Sequence, residues 1–277
     1  VSVIIPARNA AATVAQQLDA LARQDFSGTW EVLVADNGST DDTIQTALSF
    51  SDRLPDLRVV DASAQAGSSF ARNQAAAVAA GKLLCFCDAD DVVAPGWLAA
   101  LVACASEFDV VGGRLEIESL NSPTVRSWRP TPQAARLDAT LTFAPSSNMA
   151  MSAKLFRELG GFDVEYLKSH DVELGHRARK RGHSIGFCPG AVVAYRLRSD
   201  LRGLAHQGFR GGRAGAQACA DGQTASRSYS ATVSDWWWLL VRIPTLASRT
   251  RRGIWVRRAA EAVGRFVGSV RWRVRYL

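Results

Sequence analysis

Four short apolar runs, at positions 1–6, 31–35, 57–61 and 83–87, are separated by stretches of helical period. Strands spaced by helices leave few solutions, and the simplest is a mostly parallel sheet flanked by helices. The pattern predicts helices over 11–23, 41–50, 68–80 and 97–105, and a fifth strand over 109–118. Asp41 and Asp42 suit a helix start, where carboxylates satisfy free amides, and Gly81 suits a helix stop. With 277 residues, 47% apolar and 21% charged, the chain can bury a sizeable core. That excludes a disordered chain and a disulfide-stapled miniprotein.

After Gly113 the alternation loosens, and Pro123, Pro130, Pro132 and Pro145 punctuate a loop-rich stretch. Helices are expected again at 153–159 and 171–181. Positions 221–234, small and polar, read as a linker. The longest strictly apolar run, the nine residues 97–105, is far short of the roughly 20 residues of a spanning helix, and so is the Trp-rich run 236–241. The five cysteines contain no CxxC pair, and Cys85 and Cys87 alternate as small core side chains would. No signal peptide is legible, and the cytoplasm is the expected compartment.

Carboxylates recur where strands end, which is where open α/β sheets bind ligands. Asp36 closes the second strand and leads into Asn37-Gly38-Ser39-Thr40; Asp88, Asp90 and Asp91 follow the fourth. An Asp-Ala-Asp triplet lets two carboxylates reach one hard cation and leaves positions for diphosphate oxygens. Magnesium or manganese is the natural occupant.

Read in order, VSVIIPARN, VLVADNGSTDDT, AGSSFARNQAAAVAAG, LLCFCDADD, GGFD and HDVELGHRARKRG resemble the family 2 inverting glycosyltransferases over about residues 1–200. The resemblance implies an α/β GT-A fold and a nucleotide-diphosphate sugar as donor. By matching position it implies that Pro6, Arg8 and Asn9 line the nucleotide pocket and that Asp36 accepts a hydrogen bond from the base, typically uracil. Arg72, with Asn73 beside it, falls in the segment that closes over the nucleotide. Asp88 faces the ribose and metal, Ala89 separates it from Asp90, and Asp88 and Asp90 are the implied metal ligands. Asp171 falls where the family places its catalytic base, taking a proton from the acceptor hydroxyl as it attacks the anomeric carbon. Glu173, two residues on, reads as structural.

Three departures stand out. His170 occupies the place of an acid that usually precedes the base, and could serve as a hydrogen-bond partner there. Tyr195 stands where many relatives carry a metal-binding His, and a phenol is a poor ligand for a hard ion. Arg196 or Arg198 could then offset the diphosphate charge. The segment 206–211 partly resembles the Gln-x-x-Arg-Trp of processive members, but Gly211 replaces the Trp, which argues against a polymerising enzyme. Arg210 of that segment remains a candidate diphosphate contact. Two other functions compete: a sugar nucleotidyltransferase, which would carry a Gly-rich loop where this chain has Pro6-Ala7-Arg8-Asn9, and a degenerate, membrane-associated scaffold of the same fold.

Charge divides the chain. Residues 1–195 carry 17 basic and 22 acidic groups, whereas 196–277 carry 16 Arg, no Lys and four acids, a net +12. The expected layout is a nucleotide-sugar-binding subdomain at 1–113, an acceptor-binding and catalytic subdomain at 114–200, and a basic helical tail at 201–277. At 100° per residue, Trp255, Val256, Val263, Phe266, Val267 and Val270 share an arc of about 120°, with Arg257, Arg258, Glu261 and Arg265 opposite. Tryptophan beside arginine suits a bilayer interface. An anionic membrane surface, at the inner face of the cytoplasmic membrane, is the expected partner of the tail. The acceptor would be a glycan, a lipid-linked glycan or a small molecule. No nucleic-acid module accompanies the charge, so no nucleic-acid partner is expected.

Overall fold

The computed structural model describes residues 1–129, 141–166 and 169–277; the expected loop prolines 130 and 132 lie outside them. In chain order the elements are β1 (Ser2–Ala7), α1 (Val14–Ala22), β2 (Glu31–Asp36), α2 (Thr43–Leu48), β3 (Leu57–Asp61), α3 (Ser68–Val78), β4 (Leu83–Cys87), β5 (Val92–Val93) and α4 (Trp97–Cys104). There follow β6 (Val110–Glu116), α5 (Pro123–Ser127), β7 (Asn148–Ser152), α6 (Ala153–Glu158), α7 (His170–Lys180), β8 (Ile185–Ala194), α8 (Leu201–Ala220), α9 (Tyr229–Val241), a 3₁₀ turn (Ile243–Ala247) and α10 (Arg249–Trp272). They form two compact units. The first comprises Val1–Ser119, Pro132–Glu165 and His170–Arg196; the second comprises Leu120–Thr131, Tyr166–Ser169 and Leu197–Leu277.

The first unit holds one eight-stranded sheet in the order β3-β2-β1-β4-β7-β6-β8-β5. β3, β2, β1 and β4 run parallel, as the alternation requires, and β7 enters antiparallel between β4 and β6. Val3, Ile5, Val32, Val34, Cys85 and Cys87 point to one core layer, and Ile4, Leu33, Leu84 and Phe86 to the other. Both faces are covered, so these strands read as continuous apolar runs. Cys85 and Cys87 are wholly buried, and burial pushes the Cys85 thiol up to about 12. A disulfide joins Cys104 at the end of α4 to Cys188 in β8. The cysteine spacing carries no sign of that bond, which suits an oxidising compartment better than the expected cytoplasm.

Two local expectations are corrected. Gly81 is not a helix stop: α3 ends at Val78, and a Cβ on Gly81 would lie 2.6 Å from backbone atoms of Val1 and Ser2, so glycine admits β1 here. Asp42, at the N-cap of α2, makes no capping bond; Asp41 instead accepts from the amides of Thr43 and Ala11, each at 3.1 Å.

One buried carboxylate clasps the amino-terminal edge of the sheet. Glu31 at the start of β2 accepts from the Ser2 hydroxyl (2.5 Å), the Ala80 amide (2.6 Å) and the Arg58 guanidinium of β3. Burial pushes its pKa up, but these three donors outweigh burial and hold it below the ordinary 4.5. A depressed carboxyl pKa contributes stability above the unfolded value and loses it as pH falls through the folded one. Glu31→Gln should therefore cost about 1–3 kcal/mol at neutral pH. The gap from the parent should close below the glutamate range, where the parent's carboxyl is also neutral. Urea unfolding of both proteins at the two pH values measures this, and a pH-independent gap would refute the charged clasp.

The second unit contains α5, α8, α9, the 3₁₀ turn and α10. The expected linker at 221–234 shrinks to 222–228, because Ser228 caps α9 through the Ala231 amide (3.2 Å). Within 201–277, α8 and α10 pack closely. A Cβ on Gly212 of α8 would lie 2.1 Å from the Glu261 carbonyl of α10, and one on Gly264 of α10 2.1 Å from the Phe209 carbonyl of α8. Only glycine permits such close backbones. That contact turns the small side of α10 inward and leaves the apolar arc outward, with Phe266 54% and Val270 65% exposed. The expected basic arc divides as well, since Arg265 is buried rather than solvated. Among the described residues no helix is long and apolar enough to cross a membrane.

Candidate active site

β1 lies between β2 and β4, and the chain leaves β1 toward β2 and β3 before crossing back to β4. Such a reversal of direction opens a crevice beyond the carboxyl ends of the strands. Three groups of side chains gather around it.

The first follows β1 and β2. Pro6 is partly buried at the end of β1, Arg8 is exposed, and Asn9 takes the left-handed conformation (φ 50°). Asn9 binds the loop after β2: its amide donates to the Ser39 hydroxyl (3.0 Å), and its side-chain oxygen accepts from Thr40 (2.8 Å). Asp36, paired in register with Ala7, is buried and accepts from the Gly38 and Ser39 amides at 3.2 Å. Asn37 continues the stitching, accepting from the Gly67 amide (2.7 Å) and donating to the Gln65 carbonyl (2.8 Å) before α3 begins.

The second group is the turn after β4. Ligand oxygens of Asp88, Asp90 and Asp91 all lie within 4.8 Å of one another, and Ala89 is buried between the first two. Asp91 is 1% exposed; one of its oxygens accepts from the Arg196 amide (2.7 Å), and the other is buried without a partner. Burial, and then the charges of Asp88 and Asp90, push its carboxyl well above the usual range. Arg196 braces the turn, donating from Nε to the Asp90 carbonyl (2.7 Å) and from Nη2 to Gln16 (2.8 Å). Clustered carboxylate oxygens, one unpartnered, suit a hard divalent cation. Asp91, which follows the fourth strand with Asp88 and Asp90 but is not among the ligands the resemblance implies, is the buried member of that set.

The third group joins the crevice to α7. Arg72 of α3 is 2% exposed, ion-paired with Asp88, and 3.1 Å from Nε2 of His170. A guanidinium only donates, so Nε2 presents its lone pair. The Ser146 hydroxyl lies 3.0 Å from the same nitrogen, and the Ser146 amide donates to Asp171 (3.3 Å). The Val172 amide holds the other Asp171 oxygen (2.9 Å). Asp88, Arg72, His170, Ser146 and Asp171 thus form one connected network. Asn73 faces elsewhere: its amide grips both backbone groups of Phe162 (2.7 and 2.9 Å), whose ring packs on His170 with centroids 5.0 Å apart. Glu173 forms a two-pronged ion pair with Arg177 at 2.6 and 2.5 Å. Arg210 belongs to the second unit, on α8, where burial and then Arg213 lower its pKa. Ser146 had no sequence signal, because only folding brings it to α7.

The model of the family described as "Glycosyl transferase family 2" matches residues 2–160. Glycosyltransferase AglE of Haloferax volcanii is 29% identical over 204 residues, covering 72% of this chain and 67% of that protein. Two other curated relatives are matched over less than half of their own length, 44% and 46%. Among solved structures, S. aureus TarS 1-349 in complex with UDP-GlcNAc superposes with TM-score 0.62 at 18% identity, over all of this chain and 93% of that one. Mannosyltransferase PcManGT from Pyrobaculum calidifontis, in complex with GDP-Man and Mn²⁺, gives TM-score 0.62 at 21% identity, over 98% and 76%. The fold is that of the GT-A glycosyltransferases.

Proposed function

This chain belongs to glycosyl transferase family 2, and from that premise we propose that it moves a sugar from a nucleotide-diphosphate sugar, UDP-linked, to an acceptor hydroxyl with inversion and without processivity. The observation that carries the reading is the network tying Asp88, at the strand ends, to Asp171 on α7. In this reading residues 1–113 hold the nucleotide sugar, 114–200 hold the acceptor and base, and 201–277 form the basic unit.

Pro6, Arg8, Asn9 and Asp36 receive the nucleoside, and Arg72 and Asp88 lie on its diphosphate side. The loop amides on Asp36 occupy Oδ2 and leave a lone pair on Oδ1 for a base N–H. Asp171 holds the acceptor hydroxyl and takes its proton; the amides of Ser146 and Val172 fix the carboxylate and leave a lone pair free on each oxygen. His170 keeps Ser146 in place through Nε2, so it orients the base and does not replace it. Asp88, Asp90 and Asp91 would hold a divalent Mg or Mn ion, which when bound stabilises charge on the leaving diphosphate as a Lewis acid.

The acceptor is a glycan, a lipid-linked glycan or a small molecule, and the basic unit meets an anionic membrane. The inner face of the cytoplasmic membrane offers the negative surface potential that its arginines would follow. The Cys104–Cys188 bond favours the opposite, oxidising side.

The test incubates the full chain with UDP- and GDP-sugars, with and without Mn²⁺, and follows nucleoside diphosphate release and the anomeric configuration of the product. Diphosphate release with inversion is the expected result. A retained configuration would remove Asp171 from its role. Formation of sugar nucleotide with pyrophosphate would make the chain a nucleotidyltransferase, and binding without turnover would make it a scaffold.

A further inference from the structure

The second unit exposes apolar side chains that a water-facing surface does not explain. On α9, Trp236, Trp237 and Leu240 are 45%, 67% and 60% exposed, and Val263, Phe266 and Val270 of α10 extend the list. Each of these helices also lends side chains to a cavity of about 240 Å³, whose lining includes Arg227, Arg257, Arg258, Arg265, Asp235 and Glu261.

Charge inside that cavity does not balance. Asp235 accepts from Arg227 (2.7 Å) and Arg265 (2.6 Å), and Glu261 accepts from Arg257 (2.9 Å) and Arg265 (3.3 Å). Two carboxylates thus serve three guanidiniums, and the fourth, that of Arg258, lies 4.2 Å over the Trp238 ring rather than on an acid. Burial first, and Arg129 and Arg258 after the opposing pull of Glu261, lower the pKa of Arg257. The Nε atoms of Arg227 and Arg265 are buried without partners. A partly enclosed space with two uncompensated positive charges and surplus donors fits a phosphate, whose oxygens take several guanidinium hydrogen bonds at once.

We propose that α9 and α10 rest on an anionic lipid bilayer and that the arginine cavity seats the phosphate of a lipid headgroup. This rests on the membrane reading of the basic unit and deepens it by naming the face and the group recognised. Tryptophans at the water boundary beside arginines are the side chains favoured at headgroup level. A second copy is disfavoured as occupant, because each chain brings a net +12 over 196–277. A nucleic acid would satisfy the arginines and leave Trp237, Phe266 and Val270 in water.

Flotation of the full chain with three kinds of vesicle tests this: phosphatidylcholine alone, phosphatidylcholine with phosphatidylglycerol, and phosphatidylcholine with phosphatidic acid. Circular dichroism checks the folding of every variant. Binding to both anionic kinds at low salt, stronger for phosphatidic acid with its exposed phosphate, is expected, and salt should weaken it. The double variant Arg257→Gln/Arg258→Gln should lower affinity for phosphatidic-acid vesicles at least about tenfold more than Arg249→Gln/Arg251→Gln, which removes equal charge from exposed positions. Trp237→Ser should weaken binding to both anionic kinds. Equal losses in the two arginine pairs would overturn the cavity while leaving the membrane reading intact. No vesicle binding by the parent would overturn both. Should inorganic phosphate raise the parent's melting temperature, but not that of the Arg257/Arg258 variant, while vesicles are ignored, the cavity serves a free phosphate and the lipid assignment falls. Self-association abolished by Trp237→Ser would assign the apolar face to a second copy and overturn the proposal.

Discussion

Asp171→Asn should lower turnover by about 10²–10⁴-fold while leaving affinity for the nucleotide sugar nearly unchanged. The substitution keeps the size of the side chain and removes the proton acceptor. Nucleoside recognition is built on other loops, from Asn9 and Asp36, whose hydrogen bonds are made with residues 38–40. Some local cost is expected, because an Asn amide group cannot accept from both the Ser146 and Val172 amides as the carboxylate does. Loss of a negative charge in the first turn of α7 adds about 0.3–1 kcal/mol. The melting temperature should therefore fall slightly, and calorimetric binding of the donor should survive. Turnover near the parent's would move the base elsewhere. The two nearest alternatives are poorly placed for that role, since Glu173 is committed to Arg177 and the His170 Nε2 lone pair lies within reach of Arg72 and Ser146.

The parallel half of the sheet was legible because β1, β2 and β4 are buried on both faces and each strand ends in a turn or acid. β3 and β4 have the expected bounds, β1 lies one residue later than expected, and β2 extends one residue further. β7 and β8 were not legible. β7 (NMAMS) lacks β-branched residues and enters the sheet antiparallel, so its pairing with β4 and β6 depends on residues far away in sequence. β8 contains a proline and two glycines, and its register with β6 shifts between Gly113 and Arg114. The carboxylates at strand ends were visible as a pattern, whereas the bonds that hold them were not. Arg72 meets His170 across 98 positions and Arg196 meets Asp91 across 105. No local period encodes such contacts. On α10 the helical wheel found the apolar arc but not its direction, because packing there is decided by Gly208, Gly212, Gly264 and Gly268, which a hydrophobic count ignores.

Asp90→Ala should abolish the thermal shift that Mn²⁺ produces in the presence of UDP, and should do so without destabilising the protein free of metal. Ligand binding to the folded state adds RT ln(1 + [L]/Kd), about 2.7 kcal/mol at a hundredfold excess over Kd, a readily measured shift. Without metal the sign reverses. Asp91 is buried with one oxygen unpartnered, and the charges of Asp88 and Asp90 oppose its ionisation. Removing one of those charges relieves repulsion, so the metal-free variant should melt at or above the parent's temperature. The backbone brace is expected to persist, because Arg196 holds the Asp90 carbonyl, which the substitution keeps. A side chain that merely supported the turn would give the opposite result, a loss of stability with the metal response retained. Parent turnover indifferent to a strong chelator would remove the cation from the reaction. The leaving diphosphate would then be left to arginine, with Arg72, already ion-paired to Asp88 in the crevice, as the first residue to substitute.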